Sequence, residues 1–155
     1  MKIRYGFVTN SSSSSFIVAF NNESEIHVPL EFHQRIMEDI LNPQNSITVE
    51  QALDYFEECC YYSIHYDVTD KMREDLGFGY DRYEEWLKWK KEHSEEIEQK
   101  AQEEMNRQKE KLRKDIEGKK IISMINYSDD SSDEESKLEN FCYEMDGCYA
   151  VLSFH

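Results

Sequence analysis

Residues 15–20 read "SFIVAF". A strand with one wet face alternates polar and apolar side chains, and this stretch does not. Its apolar run predicts a central strand covered on both faces. In residues 2–8, Ile3, Tyr5 and Phe7 alternate with Lys2, Arg4 and Gly6, the pattern of a half-buried strand. The two stretches lie close enough in sequence to pair as a hairpin, with "VTNSSSSS" as its loop.

Strand patterns return only near the other end of the chain, at "KIISMINY" (120–127) and "CYAVLSF" (148–154). Between the two ends the periodicity is helical. Leu30, His33, Ile36, Met37 and Ile40 recur at helical spacing after Pro29, which sits at a first turn where its missing N–H costs nothing. Thr48 and Gln51 form a capping box that opens a helix burying Ala52, Leu53, Phe56, Cys60 and Ile64. Thr69 is expected to cap a further helix, ended by Gly77 and Gly79. Residues 81–117 read as one long charged helix. Glu84–Lys88, Glu96–Lys100, Glu103–Arg107 and Glu110–Lys114 stand acid first at i,i+4, and Trp86, Trp89, Ile97, Ala101, Met105, Leu112 and Ile116 form a narrow seam. Its first third, with both tryptophans, is expected to dock on the body. A last helix is expected over "EESKLENFCYEM". The fold class is therefore α+β in one domain, residues 1–155. A mostly antiparallel sheet of about four strands comes from 1–28 and 119–155, and a helical insertion from 29–118.

The chain has 155 residues, enough to bury a core without disulfides. Ten Tyr, eight Phe and two Trp argue against disorder. The net charge is −15, with the acid concentrated in residues 21–60 and 127–155. Such a field repels nucleic acid and anionic surfaces and favours basic protein surfaces. No apolar run reaches the length of about 18 residues that a spanning helix needs, so neither a membrane nor direct nucleic-acid binding is expected. The four cysteines, Cys59, Cys60, Cys142 and Cys148, make a poor disulfide framework and suit free thiols in a reducing cytoplasm.

Several groups of residues are candidates for chemistry. Asn10 and Ser11, Ser12, Ser13, Ser14 and Ser15 offer hydroxyls and successive N–H groups. These suit a close-packed structural loop, an anion-binding nest, or a site of modification or cleavage. The acidic cluster Asp129, Asp130, Asp133, Glu134 and Glu135 lacks the turn glycine and ligand spacing of a calcium loop. It reads as a solvated face or as a contact for a basic partner. The cysteine spacings do not match structural zinc sites, and no metal or cofactor is expected. His65, in "SIHYD" beside Asp67, is the best-placed histidine, but no nucleophile motif accompanies it. The stretches "YYSIHY" and "FGYDRYEEWLKW" suit either a sticky aromatic surface or core packing.

The opening "MKIRYGFVTNSSSSSFIV", residues 1–18, resembles an N-terminal motif shared by otherwise diverse small proteins of bacteria and their phages. The resemblance implies an origin and no activity. With the acidity, it leads to the expectation of a non-enzymatic interaction protein encoded by a phage or mobile element. Such a protein would lie in the cytoplasm and bind a basic surface of a host or defence protein, with nucleic-acid mimicry as one mode. The alternatives are a small-ligand or anion-binding protein or enzyme with its site near the serine loop, and an assembly role through the long helix. The oligomeric state is left open.

Overall fold

The computed structural model describes residues 14–127 and 133–151. Among these the fold is α+β and mostly helical, with five α-helices and a three-stranded antiparallel sheet. The helices are α1 (Leu30–Leu41), α2 (Val49–Asp75), α3 (Tyr83–Glu92), α4 (Ser94–Ile116) and α5 (Asp133–Glu144). The strands are β1 (Ser14–Phe20), β2 (Ile121–Tyr127) and β3 (Cys148–Val151). The expected fourth strand, residues 2–8, lies outside the described residues.

β1 is the centre of the sheet, in the order β2-β1-β3. Phe16 stands opposite Ile125 on one side and Ala150 on the other. The period of two along β1 then divides its side chains between two cores. Ile17 and Ala19 face Ala52, Leu53, Phe56, Cys60 and Ile64 of α2 and Met105, Leu112 and Ile116 of α4. Phe16, Val18 and Phe20 face Ile36 and Ile40 of α1 and Leu138 and Cys142 of α5. Helices thus cover both faces of the strand that has no polar face of its own.

Thr48 caps α2 as its sequence predicts. Its hydroxyl accepts from the Gln51 N–H at 3.1 Å, and the Gln51 side chain accepts from the Thr48 N–H at 2.9 Å. Thr48→Ala should cost about 1 kcal/mol in thermal or urea unfolding. The helix then runs without interruption to Asp75, which corrects the expected second start at Thr69. Thr69 is buried, and its hydroxyl bonds back to the His65 carbonyl at 2.6 Å, so it has no N–H to cap. Gly77, with φ +72°, ends the helix.

The long charged helix is also corrected. It is two helices, α3 and α4, broken at His93, where φ is −115° and ψ 26°. The His93 ring stacks on Trp89 with centroids 4.1 Å apart and accompanies a 2.8 Å contact from Nδ1 to the Trp89 carbonyl. The second half does not project into solvent. α4 lies antiparallel along α2, through Met105, Leu112 and Ile116 inside and Arg113–Glu50, Lys109–Glu57 and His65–Glu98 at the edges. Glu96–Lys100 and Glu110–Lys114 form as expected, and Arg107 also reaches Glu104. A third, smaller core of Met72, Trp86 and Ile97 holds α3 against the body.

Candidate functional site

Of the serine run, Asn10, Ser11, Ser12 and Ser13 lie outside the described residues. Ser14, expected in the loop, is the first residue of β1, and Ser15, the expected start of the strand, is the second. Ser14 is buried; its hydroxyl donates to the Glu139 carboxylate and lies 2.7 Å from the Tyr143 hydroxyl. Ser15 donates to Asn126 Oδ1 at 2.5 Å and accepts from the Tyr55 hydroxyl at 3.0 Å. Both hydroxyls tie the strand to its neighbours.

Of the acidic cluster, Asp129 and Asp130 also lie outside the described residues. Asp133, Glu134 and Glu135 form the first turn of α5, where their charge complements the helix's own N-terminal partial charge. Glu135 also lies 3.6 Å from Arg35 of α1. Arg35 in turn binds Asp39 at 3.0 Å, and Asp39 accepts from the Tyr127 hydroxyl at 2.7 Å. Burial, with the Asp39 carboxylate alongside, drives the Tyr127 phenol far above its ordinary range.

His65 sits in the middle of α2 beside Tyr61, Thr69 and Glu98. Burial raises the Cys59 thiol, and burial beside Cys142 holds the Cys148 thiol well above its usual range, so neither is an activated thiolate. Among the described residues no three His, Cys, Asp or Glu side chains gather as a metal site.

The two aromatic stretches meet. Tyr66, Thr69, Asp70 and Arg73 share one face of α2, and Tyr83, Trp86, Leu87 and Lys90 share one face of α3. Each set follows the i, i+3, i+4, i+7 spacing of a helix face. With Tyr80, from the 3₁₀ turn Tyr80–Arg82, they line a cleft of about 260 Å³. Trp86 is its buried floor, stacked on Trp89 at 5.4 Å. The rim is exposed, with Tyr66 at 63% and Tyr80 at 90% of full accessibility. Both readings of the aromatic stretches therefore apply, the tryptophans to packing and the tyrosines to surface.

The cleft is fixed on one side by Arg73. Its Nε and Nη2 donate to Asp70 Oδ1 at 3.0 and 2.8 Å, and Nη1 donates to the Phe78 carbonyl at 3.2 Å. The guanidinium lies 5.3 Å from the Tyr80 ring centre. Lys90, exposed on the opposite wall, has no ion pair among the described residues. Two cations and one carboxylate therefore line this cleft, in a chain that carries −15 overall.

Among the described residues these features define an α+β protein with a charged helical body and an exposed tyrosine surface. Among its described residues no helix is long and apolar enough to cross a membrane. The chain belongs to the mitochondrial peculiar membrane protein 1 family, whose model matches residues 41–144, well over half its length. No curated protein and no solved structure matches it. The family is mitochondrial, which overturns the bacterial or phage origin inferred from residues 1–18, a stretch the match leaves out. The phage-encoded acidic interaction protein, the host-directed inhibitor and the nucleic-acid mimic are overturned with it. The bacterial or host cytoplasm gives way to mitochondria as the family's location.

Proposed function

We propose that this protein attaches peripherally to a mitochondrial membrane through the tyrosine surface of α2 and α3, as a binding protein and not an enzyme. The family's description supplies the setting. The observation that carries the reading is the exposed row of Tyr66, Tyr80, Tyr83 and Leu87 beside Lys90. Tyrosine rings suit the headgroup level of a bilayer, where an apolar body and a polar tip are both satisfied, and lysine suits the same depth. The expectation of no membrane partner gives way here to a surface contact.

The overall charge opposes approach to an anionic bilayer, but screening limits that field to a Debye length of about 8 Å at physiological salt. At contact the local chemistry of the tyrosine surface decides. Alkaline carbonate should release the protein from mitochondrial membranes. Combined Tyr66→Ser, Tyr80→Ser and Tyr83→Ser changes should cut the membrane-bound fraction about tenfold, equivalent to about 1.4 kcal/mol. Release by osmotic rupture alone, or a triple variant that pellets like the wild type, would overturn the reading.

A further inference from the structure

We propose that the cleft between α2 and α3 binds the phosphate headgroup of an anionic phospholipid, with Lys90 as its principal charge partner. This rests on the membrane reading above and names the ligand of that surface.

The cleft's size comes first. At about 260 Å³ and open to solvent, it has room for a small polar group such as a headgroup. Its charge comes next. The lining is net positive in a chain of strongly negative charge, so the local complement is an anion. The donors are present as well. An arginine has five N–H groups. Arg73 directs three at Asp70 and Phe78, which leaves two for a ligand while the guanidinium stays locked in place. Lys90 offers an ammonium without an ion pair among the described residues, a point charge suited to phosphate. The hydroxyls of Tyr66, Tyr80 and Tyr83 add donors at the rim.

The rim distinguishes a lipid from a soluble anion. Leu87 and the tyrosine rings lie exposed beside the cations, and a free phosphate would leave that apolar surface wet. A phospholipid covers it with its glycerol and upper acyl chains. A choline headgroup would bring a quaternary ammonium, which aromatic rings attract. Arg73 and Lys90 oppose that cation.

The test uses the full chain and dihexanoyl phosphatidylglycerol, a soluble anionic phospholipid, followed by tryptophan fluorescence because Trp86 forms the floor. We expect a saturable change, one at least tenfold weaker with inorganic phosphate, and a Kd raised about tenfold in Lys90→Gln. Leu30→Gln, on the far side of the sheet, should leave the Kd unchanged. In flotation, wild-type protein should rise with vesicles of phosphatidylcholine plus phosphatidylglycerol more than with phosphatidylcholine alone. Equal binding by wild type and Lys90→Gln, equal flotation with both vesicles, or tighter binding of inorganic phosphate would each overturn the headgroup site. None of these would disturb carbonate-releasable attachment. Conversely, a Lys90-dependent titration in a protein released by osmotic rupture alone would keep the site and remove the membrane reading.

Discussion

Phe16→Ala is expected to lower stability by about 3–5 kcal/mol, the range for emptying a fully buried aromatic site. For a domain of this length that corresponds to a fall in Tm of about 6–20 °C. Phe16 is completely buried in the central strand. Its ring meets Tyr143 edge-on at 5.1 Å, within the core built from α1, α5 and the sheet. The site has little freedom to collapse, because ladders on both sides hold the backbone of β1. On the opposite face, Ile17→Val removes one methylene and should cost only about 0.5–1.5 kcal/mol. Urea unfolding of both variants measures this. A Phe16→Ala loss below about 1 kcal/mol would mean that the strand is not sandwiched between two helical layers.

Gly147→Ala should cost about 2–5 kcal/mol, from two separable causes. The turn before β3 places Gly147 at φ +76°, where a side chain adds about 1–2 kcal/mol of strain. An added Cβ would also lie 2.8 Å from the Phe20 ring and 2.9 Å from the Ala19 carbonyl. The turn cannot easily move away, since the Gly147 carbonyl accepts from the Ala19 N–H at 2.8 Å. Overpacking of this kind adds about 1–3 kcal/mol. Gly77→Ala provides the comparison. Its φ is also positive, at +72°, but its Cβ would enter open space, so it should show the backbone strain alone. Equal losses at the two positions would show that the Phe20 contact yields without cost.

The architecture was legible where a local pattern had a single physical solution. "SFIVAF" has no polar face, so it had to lie between two layers, and it does. Thr48 with Gln51 specifies a helix start through reciprocal bonds that need only neighbouring residues. Thr69 misled because the hydroxyl that caps a helix can also bond back within one, and the surrounding packing of Val68 and Met72 decides which. The break at His93 was hidden because neither glycine nor proline marks it; the ring stack on Trp89 accompanies it. At the site, the composition of both aromatic stretches was visible, and so was their helical spacing. That they face each other was not, because only the turn through Phe78 and Tyr80 folds α3 back on α2. The family match removes the phage setting in which the acidic contact was expected. Asp133, Glu134 and Glu135 have local work at the start of α5.

The small third core has a consequence for motion. α3 rests on the body through Met72, Trp86 and Ile97, whereas β1 is locked between two much larger clusters. Free energies of partial opening scale with the apolar contact that must be given up. With Trp86 as its one buried residue, α3 has the least apolar contact to give up of the five described helices. Because one wall of the cleft is that helix, the shape of the cleft depends on the docking of Trp86. An occupant bridging Arg73 and Lys90 would tie α3 to α2, so occupancy at the surface would be felt as rigidity in the adjoining helix pair.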